Sequence, residues 1–149
     1  MAFYYLETSA VAKLYIREVG SDRVLALAAR SAENRLAILS LTQVELRSAI
    51  RRREKAEDIA PHIATHLLET FGRHLETRFV TQPFNTAVLD FALALIDRHA
   101  LRAFDAIQLG GYLAMKAAAG ADAPIFVSAD QALLAAARAD GLQVFDPSL

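Results

Sequence analysis

The sequence predicts an α/β domain on a parallel sheet with helices on both faces, and three observations predict it. Segments of strand and helix character alternate along the whole chain, the pattern of a sheet built by helical crossovers. The strands are short unbroken apolar runs such as LAIL and IFV, as expected of strands covered on both sides. The length of 149 residues fits one domain, 1–149, which at that size buries roughly 70% of its unfolded surface without a covalent staple.

Phe3-Tyr4-Tyr5-Leu6 is the first buried strand, short and aromatic. Ser9 to Ile16 follows as a helix, with Thr8 or Ser9 as its cap. Gly20 breaks the pattern, and Ser21 caps a second helix through Arg30 with Val24, Leu25, Leu27 and Ala28 inward. Leu36–Leu39 is a strand and Thr42–Arg53 a helix. Pro61–Leu75 is a helix whose Ile63, Leu67, Leu68 and Phe71 recur at helical spacing. Phe79-Val80 is a short strand before Pro83, and two helices follow, Thr86–His99 and the alanine-rich Phe104–Ala119. Ile125–Val127 is a strand, Gln131–Ala139 a helix stopped by Gly141, and Val144-Phe145 the last strand.

Composition narrows the function. There are no cysteines, which excludes disulfides and thiolate zinc sites and suits a reducing, cytoplasmic setting. No apolar run is long enough to span a bilayer, and MAFYYLETSA has neither the basic start nor the apolar stretch of a secretory leader. The net charge of −1 lacks the basic excess of many nucleic-acid binders, so any such contact is expected to be local or metal-mediated.

In open α/β sheets ligands bind beyond the carboxyl ends of the strands. Glu7 directly follows FYYL, Glu45 lies one turn into the helix after LAILS, and Asp130 sits three residues after Val127. Asp105 begins the long helix, among Phe104, Ala106, Ile107 and Leu109. Each has an ordinary alternative. Thr42-Gln43-Val44-Glu45 fits a capping box, Asp130 suits a helix N-terminus, Asp105 an N-cap, and Glu7 a solvated turn. Taken together, acids crowded at one strand edge repel each other unless a cation lies between them. Mg²⁺ and Mn²⁺ bind through a few carboxylates plus water and phosphate.

The segments YYLETSAVAKLYIREVGS, SLTQVELRSAI, LRAFDAIQLGGYLA and FVSADQALLAAARADGLQVFDP span nearly the whole chain. In that order they resemble the PIN-domain ribonucleases, and most closely the VapC-type toxins of bacterial toxin–antitoxin pairs. The resemblance implies a three-layer fold and an acidic pocket binding Mg²⁺ or Mn²⁺, with Glu7, Glu45, Asp105 and Asp130 at the family's acidic positions. It places Thr8 and Ser128 behind the ligands, where hydroxyls orient carboxylates or waters. It further implies cleavage of RNA, a homodimer, and a small VapB-like antitoxin. One departure stands out. The family's first motif is usually D-T-S-A, and here it is Glu7-Thr8-Ser9-Ala10. The extra methylene displaces the carboxylate by about 1.5 Å if the backbone stays put. Glu7 thus reaches an ion by another rotamer, reaches it through water, or leaves activity weak or lost.

Other features have competing readings. Arg47 and Arg51 share a helix face with a basic stretch beyond, either a solvated helix end or a phosphate contact with RNA. Lys13 and Arg17 offer a similar choice. His62 and His66 have metal-ligand spacing but no third partner motif, and fit a polar face better. Gly110-Gly111, inside a helix, suggests close helix approach, within the chain or in a dimer. Two rival functions are a catalytically weakened PIN-like protein acting through partner binding, and a metal-dependent phosphatase or phosphoacceptor domain. The second wants aspartate where Glu7 stands.

Overall fold

A computed structural model describes residues 1–149. Five strands, β1 (Phe3–Leu6), β2 (Arg35–Leu39), β3 (Phe79–Gln82), β4 (Ile125–Val127) and β5 (Val144–Phe145), pair in parallel in the order β3-β2-β1-β4-β5. Successive strand residues point to opposite faces. Tyr5, Ala37, Leu39 and Phe126 therefore face one core, while Leu6, Leu36, Ile38 and Val127 face the other. The unbroken apolar runs follow from this double burial.

Helices α5 (Thr86–His99), α6 (Ala103–Ala119) and α7 (Gln131–Ala139) close the first core through Val88, Leu95, Leu109, Tyr112 and Leu133. Helices α1 (Thr8–Tyr15), α3 (Thr42–Lys55) and α4 (Pro61–Thr77) close the second through Val11, Leu46, Ile50, Leu68 and Phe71. At its margin lies α2 (Ser21–Ala28). The result is the expected three-layer α/β arrangement. No helix is long and apolar enough to cross a membrane.

Local details correct the sequence reading. Neither Thr8 nor Ser9 caps α1; Glu7 is the residue before it, and both hydroxyls are drawn to carboxylates instead. Ser21 is the first residue of α2, not its cap. Gly20 precedes it at φ +90°, where an added Cβ would lie 2.9 Å from the Pro147 carbonyl oxygen. The Ser21 hydroxyl accepts from the Glu18 N–H and donates to the Ile16 carbonyl. Helix α2 stops at Ala28, and Leu25 is exposed rather than inward. Strand β3 reaches Gln82, because its pairing with β2 continues through Leu39↔Gln82.

Gly110 and Gly111 are explained within the chain. A Cβ on Gly110 would lie 2.9 Å from the Val88 carbonyl oxygen of α5. One on Gly111 would lie 2.5 Å from the Tyr5 hydroxyl and 2.8 Å from Leu39 Cδ1. These two glycines let α6 sit directly on α5 and on the sheet. Gly72, in α4, has nothing near its missing Cβ. Gly111→Ala is expected to destabilise by about 1–3 kcal/mol through overpacking, whereas Gly72→Ala stabilises by up to about 1 kcal/mol through helix propensity. Urea unfolding of the two variants checks this, and equal shifts would contradict the packing account.

Candidate active site

Strand order sets the position of the site. From central β1 the chain builds β2 and β3 on one side, then returns to place β4 and β5 on the other. Such a switch leaves a crevice at the carboxyl ends of the two diverging strands. Leu6 pairs with Val127, so Glu7 and Ser128 leave the sheet side by side, and the Glu7 N–H donates to the Val127 carbonyl at 3.0 Å.

Glu7 is buried, at 5% exposure. Its Oε2 accepts from the Ser9 hydroxyl and, at 2.9 Å, from the Ser128 hydroxyl. Those serines also accept the N–H groups of Ala129 and Asp130, which ties the β4–α7 turn to the start of α1. Burial pushes the Glu7 carboxyl up to about 7; the hydrogen bonds from Ser9 and Ser128 oppose that rise, and the nearby Glu45 charge adds to it.

Glu45 does not form the capping box. Its Oε1 accepts from the Thr8 hydroxyl at 2.9 Å and from Gln108 Nε2 at 2.7 Å, so it turns away from its own helix start and toward α1 and α6. Asp105 is not an N-cap either; Arg102 precedes α6, and Asp105 lies in its first turn with no side-chain hydrogen bond or ion pair. Burial raises its pKa, as do the charges of Asp130 and Glu45, against the opposing pull of Arg102. Asp130 does cap a helix, accepting the Leu133 N–H at 3.0 Å. With Asp105 it lines a cleft of about 480 Å³ walled by His99, Leu101 and Arg102.

The four acids therefore form a chain of repulsions, Glu7 to Glu45, Glu45 to Asp105, and Asp105 to Asp130. None of the six ion pairs of the molecule includes any of the four acids; His99, on the cleft wall, is paired with Asp140. A further acid after a strand, Asp146, is different. Although burial alone would raise it, the Gln131 amide and the Ser148 N–H hold its carboxyl below the usual range.

Two chains in solved structures share this architecture. One belongs to a toxin–antitoxin complex from Klebsiella pneumoniae, with a TM-score of 0.58, 15% identity, and 85% of this chain and 86% of that one covered. The other belongs to VapBC2 from Rickettsia felis bound to a DNA fragment from their promoter, with a TM-score of 0.61, 17% identity, and 97% and 98% covered. The fold is PIN-like. No protein-family model matches the sequence, and no curated protein does.

The edge of this PIN-like sheet fits a divalent ion in donor type and charge. Its carboxylates are hard oxygen donors, two are pushed up in pKa, and none has a basic partner. As the side chains stand, no three Asp, Glu or His groups are gathered to enclose an ion. Glu7 is turned to its serines, so its ligation calls for a change of rotamer or bridging water, whereas Glu45 has only Oε1 engaged by Thr8 and Gln108 and keeps Oε2 free of side-chain donors. Thr8 donates to Glu45 and Ser128 to Glu7.

Other candidates separate. Lys13 is buried and paired with Glu18 at 3.1 Å, so it is not open to a phosphate, and Arg17 is paired with Asp22. Arg51 pairs with Glu54, while Arg47 is exposed and unpaired. His62 and His66 are exposed and belong to no metal-holding group. Sequence reasoning missed Gln108, Ser9 and Thr42. The one available signal for Gln108 was a polar residue three places after Asp105 on an otherwise apolar helix face.

An acid with a higher pKa folded than unfolded favours the fold when protonated. Glu7 thus contributes fully below about pH 4.5, and the contribution is lost as pH rises through about 7. At about 1.4 kcal/mol per pKa unit the loss is on the order of 3 kcal/mol. Metal-free protein is therefore expected to melt at lower temperature as pH rises across that window, and Glu7→Gln to flatten the decline. Parallel declines in both proteins would remove Glu7 as the cause.

Proposed function

We propose that the chain is a metal-dependent ribonuclease that cleaves RNA phosphodiester bonds and serves as the toxin of a VapBC-like toxin–antitoxin pair. The observation that carries this reading is four carboxylates at the carboxyl edge of the sheet, linked in succession by repulsion, with no basic side chain ion-paired to them. Such an edge asks for a cation from outside the chain. The PIN-like fold and the chain's likeness to components of two toxin–antitoxin assemblies support the same reading.

Asp105, Asp130, Glu45 and, after a rotamer change, Glu7 are the residues to hold Mg²⁺ or Mn²⁺. When bound, such an ion supplies Lewis-acid chemistry, making water nucleophilic at neutral pH and drawing charge from phosphate oxygens. Where Glu7 stays on its serines and does not ligate, its carboxyl, pushed up by burial, is suited to take a proton from the attacking water. Ser9 and Ser128 keep its carboxylate directed while it does so. Arg102, on the wall of the cleft, is placed to meet a phosphate, and Arg47 is free to extend that contact. A small cognate antitoxin restrains the activity. Homodimerisation belongs to the same proposal, and exposed Leu89, Leu93 and Ile96, at helical spacing along α5, leave an apolar stripe for it.

Chelation is expected to abolish cleavage of RNA, with activity restored by Mg²⁺ or Mn²⁺. Asp105→Asn is expected to lower kcat about 100-fold or more. Millimolar Mn²⁺ is also expected to raise the melting temperature of the native chain by mass action. Cleavage that persists in chelator would end the proposal.

A second reading is favoured by Glu7 itself, which is buried and already satisfied by two serines. In it the chain acts by binding its partner, with catalysis weakened. Strong nuclease activity gained by Glu7→Asp, from a native chain that has none, would select this reading.

A further inference from the structure

Gln108 is buried, at 1% exposure, in the first half of α6. Its amide nitrogen reaches three acceptors, Glu45 Oε1 at 2.7 Å, Thr8 Oγ1 at 2.9 Å and Thr42 Oγ1 at 3.0 Å. The Thr8 hydroxyl is itself committed to Glu45, so it accepts from the amide. The orientation of the amide is thereby fixed, since a carboxylate needs the N–H side facing it. The other end of the amide has nothing. Gln108 Oε1 is the single buried side-chain polar atom in the molecule without a partner.

An orphaned buried acceptor is costly, and folded proteins keep few. Methionine or leucine at this position would fill the space without that cost. What an apolar side chain cannot do is give an N–H to Glu45. The geometry points to Gln108 as a positioning residue that holds the Glu45 carboxylate in place for the metal-dependent reaction, a role that rests on the nuclease reading above. The backbone supports it, because the Tyr5 hydroxyl donates to the Gln108 carbonyl at 2.9 Å and fixes this turn of α6 against β1. Three acid-bearing segments meet at one amide: α1 through Thr8, which follows Glu7; α3 through Thr42 and Glu45; and α6 through Gln108, one turn from Asp105.

The test is Gln108→Met, which keeps length and volume but removes the amide, with Gln108→Leu as a second variant. Mn²⁺ binding to the full chain is measured without RNA, by the loss of the free-ion resonance signal. Cleavage kinetics are measured alongside. The expected result is Mn²⁺ affinity and kcat each lower by about 10–100-fold, as for other groups that orient ligands, with KM for RNA within about twofold. Native Mn²⁺ affinity in a folded variant overturns the role of Gln108 while leaving the nuclease reading intact. A native chain that binds no Mn²⁺ and cuts no RNA overturns both. Failure of both variants to fold assigns Gln108 to the core and overturns the positioning role.

Discussion

Negative charge without a partner is the constraint that organises this end of the molecule. Glu45 is felt by both Glu7 and Asp105, and Asp105 also feels Asp130. The chain answers only in part, with hydroxyls, one amide, a helix N-terminus and the pull of Arg102 on Asp105. Serines face Glu7, Thr8 and Gln108 face Glu45, and a helix N-terminus faces Asp130. Neutral donors soften a carboxylate's desolvation but do not cancel its charge. Basic residues are plentiful elsewhere and are spent on other acids, as in Lys13–Glu18 and Arg98–Asp140. Folding thus leaves a local deficit of positive charge at the place where the strand order opens a crevice.

The fold was legible because its signals are redundant. Continuous apolar strands, the helical spacing of Ile63, Leu67, Leu68 and Phe71, and the alternation of strand with helix all point to the same layered sheet. Element ends were less legible, since they depend on which hydroxyl is recruited by which neighbour. Thr8, Ser9 and Ser21 look alike in sequence as caps. In the fold Thr8 and Ser9 serve carboxylates and Ser21 closes a turn. The β2–β3 pairing that extends β3 to Gln82 is a tertiary fact that no local pattern carries.

The site was legible in part for a related reason. Acids that follow strands can be read directly, because strand ends fix where they emerge. Asp105 could be suspected from its apolar neighbours. The polar groups behind the acids could not, except where a family motif supplied Thr8 and Ser128. Gln108 lies more than sixty residues from Glu45 and a hundred from Thr8. Nothing in one dimension marks that meeting, whereas the glycines beside it leave a trace. Gly111 is required because Tyr5 must reach the helix backbone.

The close seat of α6 on α5, which Gly110 permits, has a bearing on the shape of the acidic cleft. Helices touching at backbone distance move as one body, and the turn joining them, Ala100–Arg102, forms a wall of the acidic cleft. Anchored at both ends by helices in backbone contact, that wall takes its outline from the packing of the first core rather than from whatever enters the cleft.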